Sequence, residues 1–202
     1  MYRLVLTLAW FIGTIYATIP LFSLVVHLLA KPLRARLRSP LQVVIPFWFI
    51  MMAVIYFITW PWREAVLYRA PPAWLASVFL FAIAIVIYAR SRLGYWRVPL
   101  VGGHGRDLRR ERRLVTSGLR QQIRHPIYLA HLCMLLAWTV GSGEIVLYGL
   151  TIVALLTGWP MIRQEEAELE SRFGDEYRAY RRAVPAALTP SLRFRLVKSK
   201  QP

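Results

Sequence analysis

Four times the chain runs through roughly 20 residues with hardly an ionisable group, the length that crosses the hydrocarbon core of a bilayer as a helix. The runs are residues 2–30, interrupted only by Arg3 and His27, then 41–60, 73–89 and 144–162. A backbone inside lipid must satisfy its own hydrogen bonds, and unbroken apolar runs of this length do so as helices. A fifth run, residues 128–140, reaches only about 20 Å as a helix. It spans if its flanks sit deep or a partner helix protects it. Gly141-Ser142-Gly143 follows as a tight turn, so this run and the last one pair as a helical hairpin. Pro20 is expected to kink the first span. Composition agrees: 57% of residues are apolar, yet the formal charge is +16. An ordinary soluble domain does not combine the two. Cys133 is the one cysteine, which excludes an internal disulfide and a cysteine-based zinc cage.

Charge gives the sidedness. Residues 31–38 carry Lys31, Arg34, Arg36 and Arg38 and are read as a short basic loop. The loop after the second span has only Arg63, Glu64 and Arg69, whereas residues 90–124 hold ten basic residues against two acids. Basic segments alternate with poor ones, so the Lys/Arg rule puts the N-terminus outside and the long loop and C-terminus in the cytoplasm. The expected fold is an all-α integral membrane bundle of about five transmembrane helices with a cytoplasmic C-terminal amphipathic helix. Residues 1–89 form the N-terminal helices, 90–190 the functional core and 191–202 a basic tail near anionic headgroups. His27, His131 and Cys133 read as packed or interfacial residues. Five arginines in residues 106–113 suit anionic lipid better than nucleic acid beside a membrane. Gly102-Gly103-His104-Gly105 follows no strand and lacks the Gly-Lys-Ser/Thr ending of a phosphate loop, so it reads as a hinge.

Two clusters carry the chemistry, and the hairpin brings them together. The first is Leu114-Val-Thr-Ser-Gly118 followed by Arg124-His125-Pro126-Ile127-Tyr128. Pro126 suits the first turn of a helix, where its missing N–H is no loss. The positive end of that helix beside Arg124 makes an anion site. The second cluster is Glu165-Glu166 and then Leu169, Phe173-Gly174, Tyr177, Tyr180 and Val184-Pro185. From Leu169 to Val184 the apolar positions fall four, four, three and four apart, one stripe of a single amphipathic helix. Adjacent Glu165 and Glu166 at a membrane boundary call for a cation: Arg163, Arg124 or a ligand.

Together, Arg124-His125-Pro126-x-Tyr128, Glu165-Glu166 and Phe173-Gly174-x-x-Tyr177-x-x-Tyr180 resemble the isoprenylcysteine carboxyl methyltransferase-like family, which is related to the phospholipid N-methyltransferases. The resemblance covers roughly residues 90–190. The sequence departs from the family pattern at Ala130, where Gly is usual, and at Leu119-Arg-Gln-Gln122, where aromatic residues are usual. The resemblance implies a membrane methyltransferase that binds S-adenosylmethionine in a cytoplasmic pocket. It implies catalytic roles for Arg124, His125 and Glu165, and cofactor contacts from His125, Pro126, Tyr128, Glu165, Glu166 and Tyr177, with no metal. The partners expected are membrane lipids and a lipophilic or prenylated acceptor, with a carboxylate first and a lipid amine or thiol next. A nicotinamide-dependent membrane reductase and a non-catalytic lipid-binding protein are the other classes that a Glu and Tyr set beside a basic loop admits.

Overall fold

A computed structural model describes residues 2–36, 41–95, 114–185 and 188. The residue 102–105 hinge, the arginine run 106–113 and the tail 191–202 lie outside them, as does the side chain of His27. Among the described residues six α-helices follow one another: α1 (Tyr2–Arg36), α2 (Leu41–Thr59), α3 (Pro71–Tyr95), α4 (Pro126–Ser142), α5 (Ile145–Phe173) and α6 (Asp175–Ala183). Among the described residues there is no strand, only an isolated antiparallel bridge between Val66 and Glu144. Four helices, α1, α2, α3 and α5, are long and apolar enough to cross a membrane, and α4 is the shorter apolar one.

Three expectations are corrected. The first helix does not stop at Ala30 for a basic loop; it runs on to Arg36, carried by the helix formers Leu33, Arg34, Ala35 and Arg36. It is also continuous through Pro20. The third helix outruns the expected span of residues 73–89: Pro71 and Pro72 start it early and it reaches Tyr95. The stripe from Leu169 to Val184 is not one helix. Gly174 adopts φ +53° and ψ −123°, a positive-φ conformation that glycine enters without a Cβ clash, and separates α5 from α6.

The bundle packs through small residues and buried hydroxyls. Ala9, Gly13 and Ala17 recur every four residues on α1, and a Cβ at Gly13 would stand 2.7 Å from a methyl of Leu147 on α5. Ala17, Leu135 and Ala154 form a core from α1, α4 and α5. Thr139 on α4 meets Thr151 on α5 at 3.0 Å, and the Ser77 hydroxyl of α3 donates to the Ala137 carbonyl of α4 at 2.7 Å. The hairpin has a shorter turn than the expected Gly141-Ser142-Gly143: Gly141 and Ser142 still belong to α4, and Gly143, at φ +71°, turns the chain. Its two helices nevertheless spread their packing, α4 chiefly against α3 and α1, and α5 chiefly against α1. So α4, too short to span comfortably alone, is the enclosed helix of the bundle. The outward faces are apolar, including Phe49, Phe57, Leu75, Phe79 and Leu156. A surface of that kind matches hydrocarbon and would drive association in water.

At the end of the bundle where α4 finishes, backbone hydrogen bonds tie the loops together. The Leu67 amide donates to the Gly143 carbonyl at 2.8 Å and the Ile145 amide to the Ala65 carbonyl at 3.0 Å. The Tyr68 hydroxyl reaches the Val140 carbonyl at 2.7 Å and the Tyr148 hydroxyl at 2.8 Å. Glu144 is fully buried in this turn beside Ser142. The opposite end, where α4 begins and α5 leaves its apolar stretch after Ile162, carries the candidate site.

Candidate functional site

Pro126 is the first residue of α4, as its missing N–H favours, and His125 is the N-cap. This places Arg124 and His125 at the helix mouth. About three turns beyond the middle of the apolar stretch, α5 has become charged, and it presents Glu165 and Glu166 at the same level. The Nε and Nη2 atoms of Arg124 donate to Oε1 of Glu166 at 2.8 and 2.7 Å, and Nη1 donates to the Val184 carbonyl just past α6. Both side chains are more than nine-tenths buried. His125 bridges the pair of glutamates, with Nε2 3.2 Å from Oε1 of Glu166 and Nδ1 3.4 Å from Oε2 of Glu165. The Tyr128 ring stacks against the His125 ring at 5.5 Å.

The electrostatics follow from these contacts. Burial alone would lower the basicity of His125, but the hydrogen bonds and charges of Glu165 and Glu166 outweigh it and hold the imidazole above its usual range. Burial would raise the Glu166 carboxyl, yet the hydrogen bonds from His125 and Arg124 and their charges hold it down at about 2. At neutral pH the cluster is thus a buried ionic network, with Glu166 its most heavily used acceptor. Arg181 of α6 adds a looser contact, 4.0 Å from Oε2 of Glu166, and sits 3.5 Å from Glu170.

α6 closes the site. The Tyr180 hydroxyl donates to the Arg120 carbonyl at 2.7 Å, pinning α6 to the segment before α4. Tyr177 is fully buried, and its hydroxyl has no hydrogen-bond partner among the described residues. Burial, reinforced by the charge of Glu166, pushes that phenol up, so it stays a neutral donor. Beside the network opens a cleft of about 160 Å³, lined by Arg124, Trp159, Ile162, Arg163, Glu166 and Arg181. The Arg163 guanidinium lies over the Trp159 ring at 5.3 Å.

The structure therefore brings together Arg124, His125, Pro126, Tyr128, Glu165, Glu166 and Tyr177. Of the cations proposed to compensate the glutamates, Arg124 does so directly, while Arg163 turns to Trp159. Arg181, the Val184 carbonyl and Trp159 were missed. Arg181 lies one helical turn past Tyr177, off the apolar stripe, so the stripe does not point to it. His131 packs between the rings of Tyr16 and Tyr88 at 5.8 and 5.5 Å, and Cys133 is buried. Among the described residues no group of three His, Cys, Asp or Glu side chains gathers for a metal.

Fold and cluster define an all-helical protein with four helices of membrane-crossing length and a buried ionic network at one end of the bundle. No family model matches the chain, and no solved structure does. Over 59 residues it is 44% identical to a Haemophilus influenzae protein named "Uncharacterized protein"; the match covers 29% of this chain and 94% of the relative. The chain belongs to one family with that short protein, whose name assigns no activity.

Proposed function

We propose that the chain is an integral membrane methyltransferase that uses S-adenosylmethionine and acts on a lipophilic acceptor, a carboxylate first and a lipid amine or thiol next. The observation that carries this reading is the convergence of Arg124, His125, Glu165, Glu166 and Tyr177, far apart in sequence, at one end of the bundle. These are the residues that the resemblance to the isoprenylcysteine carboxyl methyltransferase-like family implies. In the proposed topology all five helices α1 to α5 span, with the N-terminus outside and the site cytoplasmic.

The donor set suits the cofactor. Its ammonium and ribose hydroxyls need carboxylate acceptors, which Glu165 and Glu166 offer, and the orphaned Tyr177 hydroxyl needs a partner. Its carboxylate needs a cation. Arg124 is already held by Glu166 and Val184, so Arg163 and Arg181 on the rim of the cleft serve that charge, and Arg124 positions Glu166. His125 and Tyr128 supply a flat stacked wall. The cleft holds part of such a ligand, since cofactor pockets run to about 300 Å³ or more; binding therefore requires α6 to ease outward. When bound, the cofactor supplies an electrophilic methyl group, and transfer needs chiefly alignment with the acceptor. Trp159 and Ile162 give the cleft an apolar wall on the face where a lipid-borne acceptor arrives laterally.

Equilibrium binding of S-adenosylmethionine and of NADPH to the purified chain tests the class, and tritiated-methyl transfer into membrane extracts tests the reaction. Binding of the first with label in the organic phase is the expected result. Binding of NADPH alone assigns a reductase, and binding of neither leaves a lipid-binding protein.

A further inference from the structure

Between the end of α3 and the start of α4 lies a second, smaller recess, sharing no lining residue with the cleft. Its walls include Arg90 and Ser91 from the end of α3, Ser117 and Arg120 from the turn before α4, and Pro126 itself. The recess admits about one oxygen-sized atom and is half open, so a larger group would seat one corner and leave the rest outside.

Three independent features favour an anion. The first is the N-terminus of α4, a helix of 17 residues whose N-cap provides no side-chain hydrogen bond. The second is Ser91, 8% exposed, whose hydroxyl has no partner among the described residues. Hydroxyls inside helices ordinarily back-bond to the carbonyl four residues earlier. Thr59, Thr139, Thr151 and Thr157 all do so here, at 2.7 to 2.8 Å. Ser91 does not, and a buried unmet donor is destabilising unless something accepts from it. The third is charge: Arg90 is exposed and forms no ion pair among the described residues. It follows directly on the apolar stretch of α3, the level at which headgroup phosphates lie when that helix spans.

We propose that this recess binds one phosphate-type oxyanion, one oxygen accepting from Ser91 and the others facing Arg90 and the mouth of α4. The site does not depend on the methyltransferase reading. A lipid headgroup and a soluble phosphate present the same chemistry, and the test separates them.

The full chain in neutral detergent is examined by native mass spectrometry with dioleoylphosphatidic acid, with dioleoylglycerol, which has the same chains and no phosphate, and with inorganic phosphate. One phosphatidic acid adduct is expected to be retained, with none from dioleoylglycerol. Arg90→Gln and Ser91→Ala should each reduce the adduct at least fivefold while melting as the parent does in lipid-free detergent. The arginine run 106–113 is common to all variants and cancels in the comparison. Displacement by millimolar inorganic phosphate assigns a soluble anion, and its failure assigns the lipid headgroup; either supports the site. Equal retention of dioleoylglycerol, or parent-like adducts in both variants, overturns it. Should Ser91→Ala melt early, Arg90→Gln decides alone, because Arg90 is exposed.

Discussion

Removing the Glu166 carboxylate strands two charges, since Arg124 and His125 both donate to its Oε1 from nearly buried positions. Breaking a buried pair from one side is strongly destabilising. Glu166→Gln is therefore expected to lower stability by about 3 kcal/mol, read by thermal melting in detergent. Glu165→Gln should do much less, because its side chain is 31% exposed and its contact to His125 is the longer of the two. The pH response has a defined sign. His125 is raised above 6.5, so its contribution is complete below pH 6.5 and is lost as pH rises through the raised value. Glu166 is lowered from 4.5 to about 2, so its contribution is complete above pH 4.5 and is lost as pH falls towards 2. The network is firmest between those limits, and melting temperature should decline on the alkaline side. His125→Gln should flatten that decline; an unchanged alkaline slope would remove His125 from the network. The sequence showed that adjacent carboxylates at a membrane boundary need a cation, and named Arg124 among three. It did not show that Arg124 is consumed by the pairing, because a guanidinium's orientation depends on where the Val184 carbonyl falls in space.

At the level of elements, the bend at Gly174 decides whether α6 covers the site. Residue spacing alone missed it, since the apolar stripe continues in phase across the glycine and one glycine weakens a helix by only about 1 kcal/mol. The positive φ settles what spacing left open. A Cβ at Gly174 meets nothing within 4 Å, so Gly174→Ala is penalised by the backbone alone, about 1–3 kcal/mol. The expected outcome is a straighter α5–α6 junction that loses the Tyr180–Arg120 and Arg124–Val184 contacts. Limited proteolysis should then cut within α6 sooner, and any S-adenosylmethionine affinity should fall while far-ultraviolet helicity holds. By contrast, Pro126 at the helix start and the unbroken passage of the last apolar run into a charged helix were legible, because a missing N–H and a hydropathy shift are local properties. The Ala9, Gly13 and Ala17 seam was visible as a four-residue repeat of small side chains and was passed over because hydropathy does not register it.

For the whole molecule, the alternation of basic and poor segments predicts sidedness, and cysteine labelling reads it. Ala70→Cys in a Cys133→Ser background should react from outside intact cells, and Ser199→Cys only after permeabilisation; outside labelling at position 199 would reverse the topology. Length and hydropathy read the four long helices directly. They left α4 conditional, because whether a short helix is sheltered depends on its neighbours and not on its own residues. The two ends of the bundle are also fastened differently. Around Gly143 the fastening is by backbone hydrogen bonds and tyrosine hydroxyls, with no salt bridge among these contacts. At the mouth of α4 it is ionic. One end is thus held by the loop ties around the Val66–Glu144 bridge, and the other is latched by one guanidinium and one carboxylate. On the proposed reading, a visitor that carries its own ammonium and its own carboxylate would meet Glu166 with the one and Arg163 and Arg181 with the other, easing α6 aside while Arg124 keeps its hold.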